Sequence, residues 1–79
     1  MINSYVALSL RPGKTEEIIH KIRKVEFVEK ISVVTGEYDI IVRVKVENLE
    51  DLLKVTNDIQ LIDGVMKTTT QIIEKEIAL

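Results

Sequence analysis

Three groups of residues in this chain could do chemistry. The first is Thr35-Gly36-Glu37-Tyr38-Asp39, where a β-branched run stops at a glycine and restarts behind an acid. Successive backbone N–H groups in such a turn can converge on an anion, and Gly36, having no Cβ, permits close approach. Asp39 can hold a cation. The second group is Thr68 and Thr70, two apart on one strand, which point to a common face and offer hydroxyls. Each residue also has a purely structural reading. Gly36 serves the turn, Asp39 is a strand-edge acid pairing with Arg43 or a lysine, and the threonines are ordinary strand residues. Tyr38 reads as a core residue whose hydroxyl finds a polar neighbour, and Glu37 as solvated. The third candidate is His20, the single histidine. It lies between Glu16 and Lys24 at helical spacing with no nucleophile beside it, so it reads as an exposed helix residue rather than a base. "RPGK" at Arg11 to Lys14 lacks the spacing of a phosphate loop.

Size and composition narrow the classes. The 79 residues make one domain, 1–79. A chain this short buries only roughly 60–65% of the surface its unfolded form exposes, and such domains need disulfides, metals or oligomerisation. With no cysteine and one histidine, neither a disulfide nor a metal cluster is expected, and no cofactor is called for. Oligomerisation is the remaining route. The net charge of −2, with both signs interspersed, argues against a nucleic-acid surface. The only aromatics, Tyr5, Phe27 and Tyr38, form no stacking platform. No apolar run is long enough to span a membrane, and the N-terminus lacks the basic region of a signal peptide, so a cytoplasmic protein is expected.

Periodicity supplies the elements that must position these residues. Ile2 to Leu10 alternates as a strand, ended by Arg11-Pro12-Gly13. From Lys14 the spacing turns helical, with Ile18, Ile19, Ile22 and Val25 as its stripe and Glu16 and Glu17 in the first turn. Phe27 to Thr35 reads as a second strand, Gly36 as the hairpin glycine, and Tyr38 to Val46 as a third strand. There Tyr38, Ile40, Val42, Val44 and Val46 share one face, and Asp39, Ile41, Arg43 and Lys45 the other. Asn48 caps a second helix, with Asp51 in a capping-box-like position. Leu49, Leu52, Leu53, Thr56 and Ile59 make its stripe. Asp63-Gly64 ends it, and Val65 to Ile77 reads as a long final strand.

Strand–helix–strand, repeated once, predicts a ferredoxin-like βαββαβ sandwich of the α+β class. Its four-stranded antiparallel sheet would carry both helices on one face. The other face would be bare, and we expect it to pair with the same face of a second chain. Arg43 and Lys45 on that face would then need acidic partners or a place at the periphery.

"VVTGEYDIIVRV" (Val33 to Val44), a capped helix and "GVMKTTTQII" (Gly64 to Ile73) together resemble the ligand-binding (RAM) domain of Lrp/AsnC transcription regulators. The matching features are Val-Thr-Gly-x-Tyr-Asp at Val34 to Asp39, Gly-Val-x-x-Thr-x-Thr at Gly64 to Thr70, and a first strand ending in Pro-Gly. The resemblance covers the whole chain. It departs from the family in leaving no room for a helix-turn-helix domain before Ile2, which implies a stand-alone ligand domain with no direct nucleic-acid or membrane contact. The resemblance implies homodimers that assemble as rings of four or five, hence an octamer or decamer, and a small effector, typically an amino acid, at subunit contacts. It further implies association with full-length regulators. On this reading Thr35, Gly36, Glu37, Tyr38, Asp39, Thr68 and Thr70 form the effector site. The turn amides and threonine hydroxyls would take the ligand carboxylate, and Asp39 its ammonium, with the last strand supplied by a second subunit or reached across the sheet ends. The expected function is effector binding and oligomerisation linked to transcription regulation, without catalysis. The alternatives are a small enzyme of the dimeric α+β barrel type, which would need a roomy polar cavity between sheet and helices, and a structural adaptor for full-length regulators.

Overall fold

The computed structural model describes residues 1–79. The elements run β1 (Ile2–Leu10), α1 (Thr15–Ile22), β2 (Val28–Val33), β3 (Ile40–Val46), α2 (Leu49–Gln60) and β4 (Val65–Ile72). All strand pairs are antiparallel, in the order β2-β3-β1-β4. This is the ferredoxin-like α+β arrangement expected from the repeated strand–helix–strand pattern.

Alternation decides which side of the sheet is dry. Val6, Leu8 and Leu10 of β1 and Ile40, Val42, Val44 and Val46 of β3 are buried, facing Ile18 and Ile22 of α1 and Leu52, Val55 and Ile59 of α2. Ser4 continues the β1 row. It is fully buried, and its hydroxyl has no hydrogen-bond partner. The other face carries Tyr5, Ala7, Ile41, Arg43 and Thr69, brought side by side by the register Tyr5↔Arg43, Ala7↔Ile41 and Ala7↔Thr69.

Several boundaries differ from the sequence reading, each for a local reason. β2 begins at Val28 rather than Phe27, because Phe27 adopts φ 71°, a left-handed conformation that no strand accommodates. β3 begins at Ile40, two residues later than expected. β4 ends at Ile72, not Ile77. Ser4 pairs with Ile72 and Ile73 N–H still donates to Asn3 O at 2.8 Å. β1 begins at Ile2, so beyond that point the last strand has no partner left. Helix α1 stops at Ile22, leaving Val25 in a following turn whose N–H donates to Ile22 O. Both outer strands carry a register shift: β2 at Glu29, between Val28 and Lys30, and β4 at Met66, opposite the Ser9–Leu10 step.

In α2, Asn48 is the N-cap, its side chain accepting from Asp51 N–H at 2.9 Å. The buried stripe, however, is Leu52, Val55, Thr56 and Ile59. Leu49 and Leu53, expected in the core, are 57% and 62% exposed. At 100° per residue the true stripe is rotated by roughly half a residue step from the expected one. Leu52, Thr56 and Ile59 belong to both, and contact with the sheet selects Val55 over the two leucines.

Candidate functional site

The β2–β3 connection is a wide turn from Val34 to Asp39. Val34 N–H donates to Asp39 O (3.0 Å) and Asp39 N–H donates to Leu8 O (2.8 Å). Between them the amides of Thr35, Gly36, Glu37 and Tyr38 have no acceptor within the chain. Gly36 sits at φ 146°, a conformation that L side chains rarely adopt. A Cβ there would meet nothing within 4 Å, so the glycine is required by the backbone and not by crowding within the chain.

Asp39 has a structural role that the sequence did not suggest. Its Oδ2 accepts the N–H of Leu10 at 2.8 Å. Leu8↔Ile40 is the last β1–β3 pair, so the carboxylate extends that ladder by one rung. Asp39 does not pair with Arg43 or a lysine, and its Oδ1 makes no hydrogen bond within the chain.

Tyr38 is not a core residue. It precedes the strand, so the alternation of β3 does not govern it, and it is only half-buried. Its hydroxyl lies 2.8 Å from Thr69 Oγ1, and Lys67 Nζ stands 5.9 Å from its ring centroid. The hairpin tip and the last strand thus meet inside one chain, across β1, although the strand order keeps them apart as ladder neighbours. The threonine that meets the turn is Thr69, which sequence reasoning passed over in favour of its neighbours. The register contained the signal: Thr69 lies opposite Ala7 on the open face, whereas Thr68 and Thr70 lie opposite buried Leu8 and Val6. Thr68 Oγ1 accepts from Gln60 Nε2 of α2 at 2.9 Å, and Thr70 is exposed on the edge strand. Within one chain neither reaches Thr35–Asp39.

Arg43 organises the open face. Its Nη1 donates to Tyr5 Oη at 3.0 Å, and its guanidinium lies 5.4 Å from the Tyr5 ring centroid, within cation–π range. Its Nε is 3.4 Å from Glu29, and its Nη2 is 3.1 Å from Glu76. The Glu76 hydrogen bond raises the Arg43 pKa further above its ordinary value, against a smaller opposing effect of burial. The acidic partners expected for this cation are therefore present. Lys45 has none and is exposed. His20 is exposed as well. On the helix side, an open groove of about 440 Å³ runs between α1 and β2, bordered by Ile19, Arg23, Val28 and Ile31. It lies outside the core and presents no nucleophile with a base beside it.

A four-stranded sheet covered by helices on one side, with a mixed apolar and charged surface on the other, defines a small ferredoxin-like α+β domain. The chain belongs to the Lrp/AsnC family: the model of the Lrp/AsnC ligand-binding domain matches residues 3–78. Among curated relatives, it is 36% identical over 72 residues to an uncharacterised HTH-type transcriptional regulator of Pyrococcus horikoshii, PH1692, covering 91% of this chain and 49% of that protein. It is 39% identical over 59 residues to the HTH-type transcriptional regulator LysM of Saccharolobus solfataricus, covering 75% of this chain and 42% of that one. The chain thus spans about half the length of the curated relatives it matches. Among solved structures, TTHA0845 of Thermus thermophilus superposes with a TM-score of 0.90 at 26% identity, covering 100% of both chains. A transcriptional regulator of Neisseria meningitidis, NMB0573, solved as a complex with L-methionine, shares the fold with a TM-score of 0.88 at 21% identity, covering 99% of this chain and 53% of that one.

Proposed function

We propose that this domain binds a free amino acid at the hairpin tip and couples that binding to self-assembly in the service of transcription regulation, with no catalytic step. One observation carries the reading: a run of four backbone N–H groups without acceptors, Thr35 to Tyr38, adjoining a carboxylate with one uncommitted oxygen, Asp39 Oδ1. Consecutive free amides in a turn attract a carboxylate, and a nearby aspartate attracts an ammonium. An α-amino acid is the small molecule that carries both charges one carbon apart. Family membership supports the reading, since the matched domain is the ligand-binding one and a relative of the same fold binds L-methionine. Thr68 and Thr70 would take part only when supplied by another subunit, which puts the complete site at a contact between protomers. The regulators to which this half-length match points are also the partners through which a response would reach DNA.

A thermal-shift series against the twenty amino acids tests this. A ligand at about 100 times its dissociation constant adds ~2.7 kcal/mol, a shift of well over 5 °C for a domain of this size. At least one amino acid should produce it at millimolar concentration. Asp39→Asn keeps an oxygen for Leu10 N–H but removes the negative charge, so it should fold normally and lose the shift. No response from any of the twenty, or an undiminished response in Asp39→Asn, would contradict the assignment.

A further inference from the structure

We infer that the C-terminal segment, residues 73–79, is exchanged between two copies of the chain, so that Glu76 of each closes the Arg43 site of the other. The inference rests on the open face being the surface through which two copies pair. Arg43 stands well inside that face, with its side chain only 21% exposed, and Glu76 comes from a segment that has already left the sheet. Two hydrogen bonds tie the segment to the rest of the chain: Ile73 N–H to Asn3 O at 2.8 Å, and Arg43 Nη2 to Glu76 at 3.1 Å. It has no regular structure, and Ile77 is 73% exposed with no covering surface. Glu76 also borders a depression of about 500 Å³ on the open face, together with Tyr5, Lys30, Ser32 and Ile41. The segment therefore lies where a second sheet would have to come.

Size favours a second copy as the occupant of this face. The molecule is a slab of 35 × 29 × 17 Å, so its broad side offers roughly 1,000 Å², against ~800 Å² per partner in a standard interface. Face-to-face sheets sit ~10 Å apart with side chains filling the gap, which leaves no room for a strap folded back over Arg43. Withdrawing the strap would bury a guanidinium that has lost one of its two carboxylates, an arrangement strongly disfavoured in a drying interface. Exchange removes the conflict. Glu76 is three residues beyond Ile73, a reach of ~10 Å, which is the distance to the facing sheet. Two-fold symmetry makes the exchange reciprocal, restores both ion pairs and gives Ile77 a surface to cover.

The test uses Arg43→Lys, a conservative change that retains the cation and creates an amine for zero-length carbodiimide coupling to an adjacent carboxylate. The absence of cysteine removes thiol side reactions. Unlabelled and ¹⁵N-labelled chains carrying this substitution are refolded together, coupled and digested. Peptides joining position 43 to Glu76 are then read by mass spectrometry. Exchange predicts that about half of them contain one labelled and one unlabelled partner, alongside a covalent dimer in denaturing gels. Links found only between peptides of the same label, or no link to Glu76 in a protein that light scattering shows to be dimeric, would overturn the exchange alone. A wild-type monomer at micromolar concentration in the same light-scattering measurement would overturn both the exchange and the pairing beneath it.

Discussion

At the scale of single residues, two polar side chains near the ends of β1 behave in opposite ways. Asp39 satisfies a backbone amide, and Asp39→Ala should leave Leu10 N–H without its acceptor, costing about 1–2 kcal/mol in denaturant unfolding. That loss is structural, which is why the asparagine variant is the informative one for ligand binding. Ser4 is buried with an unpartnered hydroxyl. Such a group retains its desolvation penalty without a compensating bond. Ser4→Ala should therefore raise stability by about 1 kcal/mol, a gain of ~4–8 °C in the thermal midpoint. A fall in the midpoint would mean that the hydroxyl is satisfied in solution. Neither behaviour can be read from a strand pattern, because both depend on what lies across the ladder.

The elements themselves were largely legible, because each break carries its own chemistry: Pro12-Gly13, Gly36, the Asn48 cap and Asp63-Gly64. Sequence reasoning failed where a partner decides the outcome. Alternation alone carries β3 back to Tyr38, but the strand starts at Ile40 and the Tyr38 hydroxyl reaches Thr69. The β-branched pattern carries the last strand on to Ile77, but it ends at Ile72, where β1 begins. Leu49 and Leu53 looked like core and are exposed, while Val55 is buried. Of the candidate site residues, the turn from Thr35 to Asp39 is legible in the sequence as a unit. Its contact with Thr69 was not, since parity along β4 is known only once the Met66 shift is seen. The glycines give a prediction at this scale. Gly64, at φ 98°, also lies where a Cβ would stand 3.0 Å from Ile18 Cδ1 and 3.2 Å from Lys14 Cγ. Gly64→Ala should thus combine backbone strain with displacement of a buried isoleucine and cost about 2–3 kcal/mol. Gly36→Ala meets open space and should cost only the backbone part, about 1 kcal/mol. Equal losses in parallel urea titrations would refute the distinction.

For the whole molecule, the question is what a core of twelve buried apolar residues leaves to be done by association. Ala7 sits at the middle of the open face between Ile41 and Thr69 and makes no part of that core. If two copies pair through this face, Ala7→Glu should leave the monomer folded by circular dichroism and convert a dimer to a monomer in sedimentation velocity, because each copy would then bring an unpaired carboxylate into the middle of the contact. An unchanged sedimentation coefficient would exclude the open face as the interface. The outer strands set a further limit. A sheet with two free borders is a template for endless strand addition, yet each border here is broken by an irregular step, at Glu29 on one side and Met66 on the other. Such steps bend the border away from straight pairing. Growth into fibrils along the hydrogen-bonding direction is thereby discouraged, and a concentrated solution of this protein should stay free of the endless sheets that two straight borders would seed.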